Sequence, residues 1–238
     1  MIKELENIKI LAVDSSSLSG SVALCCGSTL VAESLLNIKS THSEKLLKQI
    51  DLMLEEAGWT LDDLDLLAAV TGPGSFTGLR IGIAMVKGLA QVLDKPVVSV
   101  SALQTIAANV PLVSVPVCAF LDARKQEVYT QQFRWQDGIP QAIDEARVIA
   151  PQLLLNEINS ETAFVGGGVS VYHEMISSHL GSQALIAPPI AHQLRASQAA
   201  WLALHSWSEG EAIKPADMLP TYIRPSDAEL NLSTKQSH

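Results

Sequence analysis

The chain has 238 residues, of which 47% are hydrophobic and 17% are charged, and its formal net charge is −9 at pH 7. A chain of this length can bury a substantial core, either as one large domain or as two lobes. The acidic balance argues against non-specific binding to nucleic acid, which needs clustered Lys and Arg, and the longest basic run is only Arg124-Lys125.

Cysteine usage and the N-terminal sequence bear on the cellular compartment. The three cysteines, Cys25, Cys26 and Cys118, are odd in number, so a disulfide framework is not expected and a reducing compartment fits. The first ten residues, MIKELENIKI, carry acidic side chains and lack the apolar core of a signal peptide. No apolar run is expected to be long enough to cross a bilayer. We therefore expect a cytoplasmic protein that does not associate with membranes.

The predicted elements begin with a strand and a hairpin. Residues 8–13 form an apolar, branched run that ends at Asp14, and strand-like runs at 21–26 and 29–36 follow, separated by Gly27-Ser28. Asp14 stands where a buried strand ends. A carboxylate there can face a ligand or a metal-bound water, or it can accept hydrogen bonds from the serines that follow, and the pattern leaves both roles open.

An amphipathic helix is predicted next. The sequence THSE at 41–44 has the spacing of a capping box, and apolar residues then recur at helical spacing as far as Gly58. His42 has no second histidine three or four residues away, so a surface or capping role is favoured over metal ligation.

Residues 66–93 are the stretch around which the rest of the chain is organised. Residues 66–71 form a short, uncharged run typical of a strand buried on both faces, and Gly72-Pro73-Gly74 forces a turn. Ser75 or Thr77 can cap the helix that follows. The free backbone N–H groups at the start of that helix could hold an anion.

The helix after this turn offers little polar surface. Arg80, Lys87 and Gln91 fall on one narrow line, while Gly78 and Gly82 lie one turn apart and leave room for another element. Glycine inside a helix costs about 1 kcal/mol relative to alanine, so some contact must offset that cost. Two interpretations stay open: a central helix of a large core, or a helix shared with a second protein chain.

The order of elements indicates an α/β protein whose second half repeats the first. A strand at 97–100 and a short helix at 101–108 complete a β-β-β-α-β-α-β-α order, in which helical crossovers imply parallel strands. After a proline-containing boundary at 109–116, a strand at 117–121 ends at Asp122 and another strand follows. Both halves therefore open with a strand that ends in aspartate, followed by a hairpin.

The remaining elements of the second half are shorter. The pattern predicts a strand at 127–135, a turn at Asp137-Gly138, a strand at 142–149, a helix at 151–158, a strand at 163–165, a helix from 170 after Gly166-Gly167-Gly168, a helix at 193–207 and a loop at 215–225. We expect an N-terminal lobe at 1–110, a C-terminal lobe at 111–225 and a flexible tail at 226–238.

Three kinds of catalytic motif fail on spacing. A P-loop needs lysine followed by serine or threonine after its last glycine, whereas leucine and arginine follow Gly78. A serine nucleophile elbow needs glycine two places on either side of the serine, and Ser75 lacks both. The histidines have no metal-binding spacing, so zinc is not expected.

A nucleotide site in a cleft between two lobes is the fourth candidate. The strand-end aspartates, the turn before the long helix and the triple glycine could together surround phosphates and adenine, although each of these residues is common in ordinary turns. The candidate cofactor-binding residues are Asp14, Gly72, Gly74, Asp122, Gly166 and Gly167.

Four segments of the chain resemble one family. ILAVDSSSLSGSVAL, THSEKLL, TGPGSFTGLRIGIAMVKGLA and LDARKQEVY stand in the order and at the distances seen in bacterial TsaB (YeaZ) proteins. The resemblance covers most of residues 8–130, with weaker echoes at Gly166-Gly167 and at 220–224, and GPGSFTGLRIG is its most specific part. One departure is Lys125-Gln126, where many relatives have Arg-Gly, so any contact from that turn is left open.

The resemblance implies a fold and a role in tRNA modification. The fold is the two-lobed, actin-like (ASKHA, ribonuclease H-like) α/β fold of sugar kinases and the Hsp70 ATPase, with mixed sheets flanked by helices. TsaB-like proteins are non-catalytic partners of TsaD, which holds a metal through a His-x-x-x-His motif and transfers threonylcarbamoyl from its adenylate to the adenosine 3′ of the anticodon in tRNAs reading ANN codons. TsaE is an ATPase partner.

This chain lacks His-x-x-x-His, which agrees with the role that the resemblance implies. It is therefore expected not to be an enzyme, to require no cofactor and to meet tRNA only through the complex, while weak nucleotide binding is left open. The alternative is an enzyme that uses the interlobe cleft, either an actin-like ATPase or kinase or a metallopeptidase, as older naming of the wider family indicates.

The resemblance also implies an interface. TsaB-like proteins pair with TsaD through the first two helices of the N-terminal lobe, and the same surface can form a homodimer in isolation. The predicted contact residues are Leu46, Ile50 and Met53 on the first helix and Gly82, Met85 and Leu89 on the second.

Overall fold

The computed structural model describes residues 5–37, 42–111 and 113–224, apart from the side chains of residues 42–44. These residues form two mixed β-sheets. The first sheet has the order β3-β2-β1-β4-β5, and its strands are β1 (Lys9–Asp14), β2 (Gly20–Cys26), β3 (Thr29–Leu36), β4 (Leu66–Gly72) and β5 (Val97–Ser101). The predicted β2–β3 hairpin and the parallel pairing of β1, β4 and β5 are confirmed.

The second sheet repeats this arrangement. Its order is β11-β10-β6-β7-β8, with β9 also paired to β7, and its strands are β6 (Val117–Asp122), β7 (Val128–Gln136), β8 (Ile139–Ala142), β9 (Arg147–Ile149), β10 (Thr162–Val165) and β11 (Ala184–Ile186). In each sheet the central strand pairs antiparallel with the next strand along the chain and parallel with a later one. The predicted repeat in topology is therefore confirmed.

Helices lie outside both sheets and between them. They are α1 (His42–Ala57), α2 (Phe76–Leu93), α3 (Ala102–Ala107), α4 (Pro151–Glu157), α5 (Gly167–Val171), α6 (His173–Leu180) and α7 (Ala196–Ser208). Helices α1 and α2 cover the outer face of the first sheet, and α4, α5 and α6 cover the outer face of the second. Helices α3 and α7 fill the space between the sheets, so the described chain is built in five layers.

Successive side chains of a strand point to opposite faces of the sheet, so each strand contributes to the layers on both sides of it. Ile10 and Ala12 of β1 belong to the core between the sheets, while Leu11 and Val13 belong to the core beneath α1 and α2. All four side chains are fully buried. A strand that is covered on both faces needs an apolar residue at every position, which explains the uncharged runs in the sequence.

Two short strands replace the single strand predicted at 142–149, because β8 ends at Ala142, the first residue of that segment, and β9 begins only at Arg147. Asp144 lies between them, where its Oδ1 accepts a hydrogen bond from the backbone N–H of Gln132 at 2.6 Å. The carbonyl of Asp144 accepts a second bond, from the side chain of Gln131 at 2.9 Å. A carboxylate that bonds the neighbouring backbone in this way competes with the sheet ladder and interrupts the strand.

Helix α2 begins at the predicted cap. The Oγ of Ser75 accepts a hydrogen bond from the backbone N–H of Gly78, and Asp94 ends the helix in the left-handed conformation with φ of 52°. Contrary to the sequence expectation, this helix has the length and mean hydropathy of a membrane-crossing segment, with 33% of that window buried inside the chain. Its packing on the first sheet accounts for the buried part of this apolar surface.

Helix α7 comes from the second half of the chain but packs on β1 and β2 of the first sheet. Two side chains of that sheet bond its first backbone N–H groups. The Oγ of Ser21 accepts from Ala196 at 3.0 Å, and Oε1 of Glu33 accepts from Ser197 at 3.0 Å. These bonds satisfy donors that a helix start leaves unpaired.

Some predictions fall outside these observations. The capping box at 41–44 depends on residue 41 and on the side chains of residues 42–44, and these lie outside the described residues, as does the tail at 226–238. The lobe bounds at 1–110 and 111–225 stay predictions, and α7 shows that the two segments share one core between the sheets.

Candidate functional site

A cleft with a volume of about 690 Å³ lies where the carboxyl ends of β1 and β6 face each other. Residues 16–19 after β1 and residues 73–77 at the start of α2 line one side of it. Residues 121–125 at the end of β6 and the start of α5 line the other. Ligand sites in open α/β sheets lie at the carboxyl ends of strands, so this cleft is the candidate site.

The cleft brings together three of the six predicted cofactor-binding residues. Gly74, Asp122 and Gly167 line it. The other three, Asp14, Gly72 and Gly166, are buried behind the lining.

Asp14 shapes the loop after β1. Its side chain is fully buried, and its Oδ1 accepts hydrogen bonds from the backbone N–H of Ser16 at 2.9 Å and the Ser16 hydroxyl at 2.6 Å. Its Oδ2 has no hydrogen-bond partner among the described residues. Burial raises the pKa of this carboxyl to about 6, against the opposing effect of the Ser16 bonds. Of its two predicted roles, these contacts support the structural one.

The space beside the glycines near α2 is filled by the chain's own backbone. A Cβ on Gly74 would lie 2.3 Å from the carbonyl oxygen of Ser16, and one on Gly78 would lie 2.0 Å from that of Ser15. Ser15 also donates a hydrogen bond from Oγ to the carbonyl of Gly78 at 2.7 Å. The element that approaches α2 closely is therefore the loop after β1, which favours the core interpretation of these glycines.

On the other side of the cleft, backbone fills the space beside Gly166 but not the space beside Gly167. Gly166 has φ of +126°, and a Cβ there would lie 2.6 Å from the carbonyl oxygen of Phe120. Its N–H donates to Nδ1 of His192 at 3.2 Å, and burial, together with His173, lowers the pKa of His192. A Cβ on Gly167 would meet no atom within 4 Å. The helix predicted from residue 170 begins at Gly167 instead.

These contacts test whether the cleft fits the nucleotide that the fold class implies. A phosphate cradle needs glycines whose missing side chains leave space for the ligand. Gly72, Gly74 and Gly166 instead leave space for backbone carbonyls of this chain, and only Gly167 among the six candidates combines a place in the lining with open space. The predicted residues therefore do not form a glycine cradle for phosphate.

The turn after β6 is unusual in its backbone. Arg124, Lys125 and Gln126 have φ of 57°, 51° and 59°, so three consecutive residues with side chains are left-handed. Oδ1 of Asp122 accepts a hydrogen bond from the backbone N–H of Arg124 at 2.9 Å. The left-handed conformation costs a residue with a side chain roughly 1–2 kcal/mol. The turn places Arg124 and Lys125 in the cleft lining.

The predicted interface residues divide into two groups. Leu46, Ile50, Met53 and Gly82 are buried inside this chain, the three apolar side chains in the core beneath α1 and α2. Their helical spacing therefore reports packing against the first sheet, and they are not available to a partner. Met85 and Leu89 are partly exposed and pack at the edge of the same core.

Sequence reasoning missed residues that line the cleft from the segment after α7. Tyr222 and Arg224 both line it, and they lie in PTYIR at 220–224, a segment noted only as a weak echo of a family. Among the described residues, no group of three or more His, Cys, Asp or Glu is placed to hold a metal ion.

Comparison with known proteins gives a consistent match across the chain. The family model described as "TsaD: tRNA N6-adenosine threonylcarbamoyltransferase" matches residues 29–232. The tRNA threonylcarbamoyladenosine biosynthesis protein TsaB of Bacillus subtilis is 32% identical over 223 residues, which is 92% of this chain and 96% of that protein.

Solved structures match the fold. YeaZ from Pseudomonas aeruginosa has a TM-score of 0.76 at 30% identity, covering 90% of this chain and 100% of that one. The ethanolamine utilization protein EutJ from Carboxydothermus hydrogenoformans has a TM-score of 0.52 at 11% identity, covering 84% of this chain and 93% of that one, and is similar in fold alone. The predicted two-lobed, actin-like fold is confirmed.

Proposed function

Because the chain belongs to the TsaB family and acts in tRNA threonylcarbamoyladenosine biosynthesis, we propose that it is the non-catalytic partner subunit of TsaD. In this role TsaD transfers threonylcarbamoyl from threonylcarbamoyl-AMP to the adenosine 3′ of the anticodon in tRNAs that read ANN codons. This chain supports that transfer in the cytoplasm without carrying it out, and TsaE acts as the ATPase of the complex.

The observation that carries the proposal is the uncharged outer face of α2, formed by Ile81, Ala84, Gly88 and Val92. These residues recur at helical spacing, and Val92 is 84% exposed. Lys87 is the one charged residue between positions 81 and 93. Its ammonium group donates to the backbone carbonyls of Ala216 and Met218 rather than pointing along this face. Continuous exposed apolar surface of this kind marks interaction sites.

The shape of this face suits another helix. Ala84 and Gly88 are exposed and small, so a partner helix can approach closely there, and a Cβ on Gly88 would meet no atom of this chain within 4 Å. Met85 and Leu89 flank the face. We place the contact with TsaD on the outer face of α2 together with these two residues, and a second copy of this chain takes the same place when TsaD is absent.

An aspartate on this face tests the docking surface. Ala84→Asp places a charge where the partner would exclude water, and we expect binding to TsaD in co-purification and calorimetry to weaken by at least about tenfold. Leu153→Asp is the matched control, because Leu153 is an apolar residue on α4 that is 57% exposed. Equal binding by both folded variants and the parent would remove this face from the interface.

Reconstitution tests the role itself. We expect tRNA modification by TsaD and TsaE to require this chain, and we expect the isolated chain to turn over neither ATP nor threonylcarbamoyl-AMP. Modification at the full rate without the chain would overturn the proposal. ATP turnover by the isolated chain would instead support the ATPase or kinase alternative.

A further inference from the structure

Residues 220–224 cross from the first sheet to the second beside the cleft. We propose that this segment is a latch that fixes the separation of the two lobes. The glycine-rich turn before α2 is the surface against which the latch packs, rather than a phosphate cradle. The proposal rests on contacts at both ends of the latch and is independent of the docking role proposed above.

The first contact explains the glycine at position 72. The backbone N–H of Thr221 donates to the carbonyl of Thr71 at 2.7 Å. Gly72 has φ of +132°, and a Cβ there would lie 2.5 Å from the carbonyl oxygen of Thr221. Because that oxygen belongs to the backbone, it cannot move aside as the end of a flexible side chain would. The turn therefore needs glycine for the latch to lie against it.

The second contact uses side chains of the first turns of α2. The ring of Tyr222 stacks on the ring of Phe76 with centroids 4.9 Å apart, and the Tyr222 hydroxyl accepts a hydrogen bond from Nε of Arg80 at 3.2 Å. The guanidinium of Arg80 lies 3.9 Å from the centroid of the Phe76 ring. Stacking and cation–π contacts of this kind stabilise a contact beyond simple burial. They hold the latch to the first lobe.

The third contact joins the latch to the second lobe. Arg224 donates from one guanidinium nitrogen to the carbonyl of Ala123 at 3.1 Å and from another to the carboxylate of Glu127. Its side chain is 15% exposed, and it faces the ring of Tyr129 with 5.9 Å to the centroid. Ala123 and Glu127 flank the left-handed turn. Arg224 therefore bonds both ends of a strained turn and holds it in place.

The latch has two anchors, Tyr222 on the first lobe and Arg224 on the second. Because they are close together along the chain, they act together. Only Ile223 separates Tyr222 from Arg224, and two residue steps of extended chain span at most about 7 Å. The lobes therefore cannot move apart while both anchors hold. Actin-like architectures have two lobes that can close and open about a hinge. In this chain the latch keeps the cleft at one width.

A distance measurement across the cleft tests the latch. Leu18 and Val171 line opposite sides and are 72% and 60% exposed, so Leu18→Cys and Val171→Cys accept spin labels in a Cys26→Ser background. We expect one narrow distance distribution in the parent. Tyr222→Ala, Arg224→Ala and the double variant should each give the same broadened distribution, because releasing either anchor releases the latch. Arg134→Ala, an exposed arginine on β7, should leave it narrow.

Hydrogen exchange of the unlabelled chain provides the second test. The backbone N–H groups of Ala123 and Glu127 lie at the second-lobe end of the latch and are bonded within the turn. We expect Tyr222→Ala, made at the opposite end, to speed their exchange by about tenfold or more. If Tyr222 had only a local structural role, its replacement would leave these two exchange rates unchanged.

Two results of the distance measurement would overturn the proposal. One is an unchanged distance distribution in both folded single variants. The other is a double variant whose broadening is the sum of two separate effects, since independent anchors would behave in that way. If Arg224→Ala fails to fold, Tyr222→Ala, which removes both the ring stacked on Phe76 and the hydroxyl bonded to Arg80, is expected to speed exchange at Ala123 in a folded chain, and an unchanged rate there would refute the latch.

Discussion

The carboxylate of Glu33 accepts two hydrogen bonds from Ser197, which lies 164 residues further along the chain. Its Oε1 accepts from the Ser197 N–H at 3.0 Å and from the hydroxyl at 2.7 Å, while Oε2 accepts from Nε of Arg195 at 3.0 Å. The Glu33 side chain is only 5% exposed. An edge strand of the first sheet is thus tied to the start of α7.

Removing this carboxylate should destabilise the chain. We expect Glu33→Ala to lower the free energy of unfolding by about 2–3 kcal/mol, because the Ser197 donors and the Arg195 guanidinium lose their acceptor in a mostly buried site. Urea unfolding at neutral pH measures the effect. Glu209→Ala removes an exposed carboxylate paired with His205 and should change stability by less than about 0.5 kcal/mol. Equal effects would show that Glu33 does not anchor α7.

Glycine at position 126 should stabilise the chain. Gln126 has φ of 59° at the end of the left-handed turn, so Gln126→Gly removes steric strain of about 1 kcal/mol. The matched control is Gln141→Gly on β8, an exposed strand position where glycine should cost about 0.5–1 kcal/mol. Thermal unfolding of the two variants should shift in opposite directions. A shift in the same direction would contradict the left-handed turn.

Two glycines of α2 should respond to alanine with opposite signs. A Cβ on Gly78 would lie 2.0 Å from a backbone oxygen of Ser15, whereas one on Gly88 would meet nothing within 4 Å. We expect Gly78→Ala to destabilise the chain by about 3 kcal/mol or more through overpacking, and Gly88→Ala to stabilise it by about 1 kcal/mol through helix propensity. Denaturant unfolding of the isolated chain, at a concentration low enough to keep it monomeric, checks both. If Gly78→Ala proved neutral, the loop after β1 would not pack against α2 as described.

Asp14 should make stability depend on pH in an identifiable window. Burial raises its pKa from 3.8 to about 6 in the folded chain, so between these values the folded state binds more protons than the unfolded state. Stability therefore falls as pH rises through this window, by about 3 kcal/mol at about 1.4 kcal/mol per pH unit.

The variant Asp14→Asn isolates this effect. It cannot titrate, so the difference in unfolding free energy between variant and parent should move in favour of the variant by about 2.4 kcal/mol from pH 4 to pH 7. Any offset from the buried amide is the same at both pH values and cancels. A difference that stays constant with pH would show that Asp14 titrates normally.

Local patterns in the sequence predicted the elements around the first sheet well. Apolar runs predicted β1 and β4, Gly27-Ser28 predicted the hairpin, and the position of Ser75 predicted the cap of α2. Each of these depends on neighbours within a few residues. The repeat of aspartate-terminated strands at Asp14 and Asp122 also gave the shared topology of the two sheets.

Long-range contacts could not be predicted in the same way. The apolar stripe of Leu46, Ile50 and Met53 has the same spacing whether it faces a core or a partner, so the sequence could not separate the two. Gly72 is explained by Thr221, which is distant in sequence. Glycine after a strand is consistent with a phosphate, a turn or a neighbouring backbone, and only the fold shows which of them is there.

The packing of α7 also bears on how a nascent chain can fold. The ribosome finishes β1 to β5 long before it reaches Ala196, and until then the inner face of β1 and β2, with Ile10 and Ala12, lacks the helix that covers it. An uncovered apolar sheet is prone to aggregate during synthesis. The inner face of β1 and β2 therefore stays uncovered until α7 has been synthesised, and the core between the sheets forms only once both halves of the chain are present.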